Sequence, residues 1–473
     1  MSNEVTTIRS SRDIIDIINS HQFIKNTSFI IVLIALGGVF IDAYDFTSLG
    51  LGVVQLKKQM SLTAFETGLL TASMAGGALV GGVWGGYYSD KIGRLKMFML
   101  DLIFFVIAAL GAAFSTNLDL LIAFRVLMGL GVGLDFPVAM SFIAEYTSSD
   151  SKGTYLNLWQ VAWYVAASAG FVVILPFYYA GVGNDLWRWA VGLGALPAAI
   201  ILILRFIYME ESPMWAAQQG DLQEAARGLK KTYGIDVNVA LELEEEPANL
   251  QKHSIKVFLK IIKPPYQMRT LLTSIICATQ SMEYFAVGFY LPTISLLLFG
   301  EKFVYAILGG ALFNVAGIVG GGIQSKITQR VGTRRLSIVG YCITLACLIL
   351  MGITNGHVSA YFEAILMAVF IFGHSFGQGS QGQTMAALSY PTSIRGAGVG
   401  FVQAITRAGS IFGFFLFPLA LAAFGINSAM LIIAVIPLLG LLGCLLIRWE
   451  PIGVDVDSED YAPAVMSPRA MPR

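Results

Sequence analysis

Charge is scarce in this chain: Asp, Glu, Lys and Arg make up 13% of its 473 residues, and 30 basic side chains cancel 30 acidic ones. A balanced charge gives no long-range attraction to nucleic acid. The four cysteines, Cys277, Cys342, Cys347 and Cys444, lie in apolar runs without metal-ligand spacing and read as small core residues. No Gly-x-x-x-x-Gly-Lys-Ser/Thr loop is present to cradle nucleotide phosphates, and no nucleophile–base constellation stands out. An ATP-driven pump and a membrane enzyme are therefore not expected. The charged amino terminus has no apolar region ending in a small-residue cleavage site, so no signal peptide is expected to be removed.

What the chain has is apolar length. Hydrophobic residues make up 56% of it, glycine contributes 50 positions and mean hydropathy is +0.70, far from soluble composition. Twelve runs suit helices that cross a bilayer: 27–52, 66–89, 96–114, 118–146, 154–178 and 188–209, then 269–298, 303–328, 335–354, 358–386, 396–424 and 427–449. The expected fold is all-α and polytopic, with twelve transmembrane helices in two pseudo-symmetric six-helix bundles. The boundaries are a segment over 1–26, a bundle over 27–209, a central loop over 210–268, a bundle over 269–449 and a tail over 450–473. Of the 30 Lys and Arg, 24 lie on the side of the termini and the even-numbered loops, four (Lys57, Lys58, Arg188 and Lys302) lie on the other side, and two (Arg125 and Arg407) are intramembrane. Positive residues stay inside. The central loop and both termini should be cytoplasmic, and the chain should lie in the plasma (inner) membrane.

Smaller features fit this map. Asp221, with Glu224 three residues on, can cap a helix in the central loop. The acidic run Glu242 to Glu246 reads as a solvated helix face. Ile14, Ile15 and Ile18 suggest a short interfacial helix, and the polar tail after Glu450 reads as disordered.

Two carboxylates interrupt the first span, Asp42 and Asp45 in Ile41-Asp42-Ala43-Tyr44-Asp45-Phe46. Each costs about 2.5–3.5 kcal/mol at a bilayer centre, so such residues usually mark a transport path. Spacing i, i+3 puts them on one helix face about 5–6 Å apart, an arrangement that favours a proton on one of them. Arg125 needs a buried counter-ion, and Asp42 or Asp45 is the natural candidate. Arg407, near the middle of span 11, suits a carboxylate or phosphate held bidentately. A structural pair with Glu283 is the alternative for it. Gln160 and Trp163 on span 5, Gln280, Glu283, Tyr284 and Tyr290 on span 7, and His374, Gln378, Gln381 and Gln383 on span 10 lie at similar depth. Polar groups are costly against lipid and should face a shared cavity. Gln378 and Gln381, one turn apart, can converge on one ligand. For His374, a proton relay and a satisfied interhelical histidine are both open.

Gly86-Tyr87-Tyr88-Ser89-Asp90-Lys91-Ile92-Gly93-Arg94-Leu95-Lys96 follows span 2, and Ser325 to Arg335 echoes it after span 8 with Gln329 in place of the acid. The first loop resembles the G-x-x-x-D-R/K-x-G-R-R/K signature of the major facilitator superfamily. Arg125-Val126-Leu127-Met128-Gly129-Leu130-Gly131 resembles its R-x-x-x-G-x-G motif. The resemblance implies a gate built from Gly86, Asp90, Lys91, Gly93, Arg94 and Lys96, with Asp90 near Gly396 at the start of span 11. Asp42, Asp45 and Arg125, from their place within the spans, are the expected proton-coupling residues. Glycines Gly77, Gly81 and Gly85 make a small-residue face for tight helix packing.

Glu145 with Lys152-Gly153, Glu211-Ser212-Pro213, and Tyr390-Pro391 with Arg395-Gly396 resemble sugar porters and their metabolite-carrying relatives, which adds Glu145 and Arg395 to the gate. Leu388 stands where those families place an acid three residues before the proline, so the carboxyl-half counterpart of the Glu145 network lacks its carboxylate there. Asp42-Ala43-Tyr44-Asp45 resembles D-G-F/Y-D of aromatic-acid:proton symporters and, more literally, D-A-Y-D of phosphate:proton symporters. Asp135-Phe136-Pro137 resembles D-Y-P of the latter, which adds Asp135 to the substrate site.

These resemblances imply a proton-coupled symporter importing a small organic anion (an aromatic or aliphatic carboxylate or a sugar acid) by alternating access. The expected substrate residues are Arg407, Asp135, Gln160, Glu283, Tyr284, Gln378, Gln381 and His374. Phosphate and then a neutral sugar are the alternatives, and a non-transporting membrane sensor is the reading from another class. Efflux by antiport is disfavoured because span 5 lacks G-x-x-x-G-P-x-x-G-G. No cofactor is expected beyond the proton as coupling ion. Lipid and one small substrate are the expected partners of a monomer.

Overall fold

The computed structural model describes residues 6–20, 27–148, 150–240, 257–288, 291, 303–354 and 357–460. Helices α1 (Ser11–Ser20), α2 (Thr27–Gln59), α3 (Ala64–Ile92), α4 (Arg94–Ala113) and α5 (Leu118–Tyr146) open the chain. Span 5 is α6 (Lys152–Val173) with α7 (Leu175–Tyr179), and span 6 is α8 (Leu186–Gly192) with α9 (Ala195–Tyr208). The central segment carries α10 (Pro213–Gln218), α11 (Leu222–Tyr233) and α12 (Val257–Ile261). The second half holds α13 (Gln267–Val287), α14 (Phe303–Val331), α15 (Thr333–Thr354), α16 (Ala360–Phe376), α17 (Gln378–Ala387) and α18 (Thr392–Leu446). Among the described residues eleven helical segments are long and apolar enough to cross a membrane. Helix α13, on span 7, brings the set to the twelve of the two-bundle fold.

Local chemistry explains the helix ends. Thr63 and Glu66 form a reciprocal capping box at the start of α3. Asn117 accepts from Leu120 N–H at the start of α5, and Asp221 accepts from Glu224 N–H at the start of α11. Gly93, at φ 112°, and Gly332, at φ 94°, make the two short turns after spans 2 and 8. Gly425, at φ 74° and ψ 173°, breaks α18 and separates spans 11 and 12. Three expected single helices are broken. Span 5 is interrupted at Ile174 ahead of Pro176, which cannot continue the hydrogen-bond ladder. Span 6 turns at Leu193 and Gly194, and span 10 turns at Gly377, whose missing side chain lets it lie against Gly340.

The outer wall is apolar, with Phe206 and Leu446 about four-fifths exposed, while the polar residues sit inside. Helices α3 and α5 touch along glycines: a Cβ on Gly77 or Gly81 would strike the carbonyls of Val126 or Leu130, and one on Gly133 the carbonyl of Ala78. Gly82 and Gly86 make the same close approach to Gly400 and Gly396 on α18.

Two expectations about the ends of the chain are corrected. Ile14, Ile15 and Ile18 do not face lipid. They are buried, with Ser11 Oγ donating to the Ala217 carbonyl on α10 and strand β1 (Thr6–Ile8) pairing in parallel with β2 (Val237–Val239). Protein rather than membrane satisfies that apolar face. The tail up to residue 460 is seated on the protein, because Glu450 accepts from Thr333 and Arg334 N–H at 3.0 and 2.9 Å and caps α15. Glu211 does the same for α4, accepting from Arg94 N–H at 2.9 Å. Glu242 to Glu246, Tyr290 and Lys302 lie outside the described residues.

Candidate functional site

Two polar regions converge between the halves. The first lies at the end of the bundle where α3 turns into α4. Asp90 accepts from Gly396 N–H at 3.1 Å and Ala397 N–H at 2.8 Å, so a carboxylate of the first half meets the amino end of α18. Arg94 lies 2.5 Å from Asp90 and 2.8 Å from Glu145, and reaches the Thr392 carbonyl at 3.4 Å. Arg395 lies 3.5 Å from Glu145, which also accepts from Ser212 Oγ at 2.6 Å. Gly86 allows the approach, since a Cβ there would strike the Gly396 carbonyl. Lys91 and Lys96 are exposed and stand outside this buried cluster. Glu211, beyond the spans, has its carboxyl raised by burial against the hydrogen bonds that it accepts.

Asp457 joins the same region from the tail. Its carboxylate is 2.6 Å from Arg395 and 3.6 Å from Lys152, and accepts from Thr392 N–H and Oγ at 3.0 and 2.9 Å. On α6, Asn157 donates to Thr328 Oγ1 at 2.7 Å and accepts from Thr384 Oγ1 at 2.6 Å, tying α6 to α14 and α17.

The second region is a small central cavity between the halves. Gln160 and Trp163 face it from α6, Gln280 and Tyr284 from α13, His374 from α16 and Gln383 from α17, while Gln403 and Arg407 face it from α18. Arg407 sits 5.3 Å over the Phe46 ring. With its amide oxygen turned toward the guanidinium, Gln403 accepts from Arg407 Nη2 at 2.9 Å. No described carboxylate forms an ion pair with Arg407. The alternative partner, Glu283, is taken by His374 Nδ1 at 2.9 Å and by Gln378 Nε2 at 2.6 Å. Tyr284 stacks on His374 at 5.1 Å and accepts from Trp163 Nε1 at 3.1 Å.

Several expected placements are corrected by geometry. Asp135 does not line the cavity. It lies 2.6 Å from Arg205, which is also 3.1 Å from Asp101 and donates to the Phe98 carbonyl at 2.7 Å, all fully buried. Neighbours on a helix point about 100° apart, so Phe136 faces the cavity while Asp135 faces α4 and α9. Arg205, expected among the cytoplasmic basic residues, is thus a buried charge. Gln378 and Gln381 do not converge, because Gln381 donates to Gln324 Oε1 at 2.5 Å and to Thr328 Oγ1 at 3.0 Å, away from Glu283. Arg125 is not paired with either carboxylate of span 1. Its Nη1 donates to the Asp45 carbonyl at 3.5 Å, while the Asp45 side chain turns toward Gly194. Among the described residues, nothing donates to the carboxylate oxygens of Asp42 or Asp45. Asp42 is within electrostatic range of Arg407, Asp45, Asp135 and Arg205.

Sequence reasoning missed Asp101, Arg205, Asn157, Gln403 and Asp457. The rule that drew attention to Asp42, an acid inside an apolar run, also applies to Asp101 in Met97-Phe98-Met99-Leu100-Asp101-Leu102.

Comparison with known proteins places this architecture. The family described as sugar (and other) transporter matches residues 30–455. A putative metabolite transport protein, YaaU, of Escherichia coli (strain K12) is 30% identical over 87% of this chain and 90% of its own length. A D-xylose transporter of Levilactobacillus brevis is 29% identical over 85% of this chain and 88% of its own. The solved structure of the major facilitator superfamily proton:xylose symporter XylE bound to 6-bromo-6-deoxy-D-glucose superimposes with a TM-score of 0.76 at 19% identity, covering 91% of this chain and 98% of that one. The chain belongs to the sugar (and other) transporter family of the major facilitator superfamily and is a multi-pass membrane transporter rather than an enzyme.

Proposed function

We propose that the chain is a proton-coupled symporter that imports a small polyhydroxylated metabolite, a sugar or a sugar acid, by alternating access. The observation that carries this is the cavity lining. Four glutamines, Gln160, Gln280, Gln383 and Gln403, can hydrogen-bond hydroxyls, and the rings of Trp163 and Tyr284 offer faces to the apolar side of a sugar ring. Relatives named for glucose and D-xylose support a neutral sugar over phosphate. Arg407 favours the acidic member of the pair, because a guanidinium that has amide rather than carboxylate company is suited to a substrate carboxylate.

Coupling follows from charge. Asp42 lies within electrostatic range of Arg407, which lines the cavity. A substrate carboxylate arriving at Arg407 competes with Asp42 for that cation, and a proton on Asp42 relieves the conflict. Asp45 and Arg125 form a second group of opposite charge in the same half. The bundles over 27–209 and 269–449 then rock about the cavity, in the inner membrane, with both termini and the gate of Asp90, Arg94, Glu145 and Arg395 on the cytoplasmic side. A differential affinity of the ligands for the two conformers, not binding alone, drives the cycle. A monomer suffices.

Counterflow in proteoliposomes tests the substrate class, using labelled D-xylose, D-glucose, an aldonic acid, benzoate and phosphate. Saturable exchange of a sugar or the aldonic acid is expected. Exchange of phosphate or benzoate alone would overturn the reading, and binding of one compound without exchange by any would favour a sensor.

A further inference from the structure

The contact between the halves gains an acid from outside the spans. Asp457 reaches it from beyond the last span, with its side chain 3% exposed. Arg395 and Thr392, which hold its Oδ1, open span 11, and Lys152, near its Oδ2, opens span 5. One carboxylate therefore ties the second half to the first. The segment leading to it is anchored as well. Glu450 caps α15, and Ile452 packs over Gly153, where a Cβ would come 3.1 Å from its Cδ1.

Charge shows what the bridge does. The ion pairs of the cluster set three buried acids, Asp90, Glu145 and Asp457, against Arg94, Arg395 and Lys152; a fourth acid within range of Lys152, Asp455, is half exposed and pairs with Arg12. Glu145 already serves Arg94 at 2.8 Å and is only 3.5 Å from Arg395. Without Asp457, Lys152 and Arg395 would face each other across the interface with too little counter-charge, and a buried cation that loses its partner disfavours the packed state. Burial alone would raise the Asp457 carboxyl, but Arg395, Lys152 and the Thr392 donors outweigh it and hold the group at about 2. It is ionised wherever the protein works.

We propose that Asp457 is a gate-positioning residue: by bridging Lys152 to Arg395, this carboxylate of the tail stabilises the conformer closed to the cytoplasm. This rests on the alternating-access reading above. In the conformer open to the cytoplasm the two cations separate, and one carboxylate can no longer serve both.

The test uses the full-length protein in nanodiscs, with spin labels on the cytoplasmic ends of spans 5 and 11, and compares Asp457→Asn with Asp457→Glu. Asp457→Asn should raise the open-to-closed ratio by about tenfold or more, the scale of one lost charge-assisted bond. Asp457→Glu should return most of it, a rescue by charge that general loss of stability cannot produce. An unchanged distribution in Asp457→Asn, or no rescue by Asp457→Glu, would overturn the assignment. Should Asp457→Asn not fold, Lys152→Gln cuts the same bridge and must shift the ratio in the same direction; no shift overturns the proposal. A single population in the wild type would overturn the alternating-access reading itself, and the gate with it.

Discussion

Replacing Arg205 by methionine isolates the buried triad with Asp101 and Asp135. The guanidinium makes contacts of 2.6 and 3.1 Å to two carboxylates, donates to the Phe98 carbonyl and lies 4.0 Å over the Phe98 ring, with all three charged residues fully buried. Arg205→Met strands two acids in an apolar interior. Breaking one buried pair costs about 3–5 kcal/mol, so this variant should lose stability at the upper end of that range. Replacing the whole triad, as Arg205→Met with Asp101→Asn and Asp135→Asn, removes the stranded charges and should restore most of the loss, because buried ion groups are often no more stabilising than apolar substitutes. The assay is thermal denaturation of purified protein in detergent, followed by the monodisperse fraction in size-exclusion chromatography, with counterflow measured on what survives. If Arg205→Met were as stable as the wild type and lost substrate affinity instead, Asp135 would belong to the substrate site and the structural reading of the triad would be wrong.

Other substitutions read the remaining parts of the account. Arg407→Gln should weaken binding of an acidic substrate by about ten- to a hundredfold, as expected for lost hydrogen bonds to a charged group, while exchange of a neutral sugar changes little; calorimetry and counterflow check it. Gly86→Val places a side chain against the Gly396 carbonyl and should hold the cytoplasmic side open, leaving a cysteine at the inner end of span 11 reactive to a thiol reagent in all conditions. The pH dependence of the Asp457 bridge follows from its depressed carboxyl. Its contribution is present in full above the unfolded carboxylate value near 4 and is lost as pH falls through about 2. Titrating the spin-label distances from pH 8 to 5 should therefore give the same Asp457→Asn effect throughout, and a bridge that failed near pH 6 would contradict the geometry.

The apolar runs made the spans readable because a bilayer imposes one length and one solvent on every helix. The break at Gly425 falls in the gap read between 424 and 427. The loop motif led to Asp90 and Gly396 through its resemblance to the superfamily signature. Side-chain direction was less readable. Asp135 and Phe136 differ by one position, and no periodicity in a helix buried on most sides tells which of them meets the cavity. The Gln378 and Gln381 amides were each captured by a different neighbour. Arg125 and Asp45 met through a backbone carbonyl because the carboxylate turned toward Gly194. Asp457 was hardest to see, because it lies in a polar tail whose composition resembles disorder and its partners are more than sixty residues away in the chain.

The central claim is that substrate and proton move together through this cavity, and it is tested most directly by proton flux measured alongside uptake in proteoliposomes. With an imposed inward proton gradient, the substrate identified by counterflow should accumulate above its external concentration. With no gradient, its entry should acidify the lumen as reported by a trapped dye, and Asp42→Asn should abolish accumulation while sparing exchange. Uptake that equilibrates without accumulating, with no acidification in the wild type, would contradict symport and leave a facilitator of the same fold.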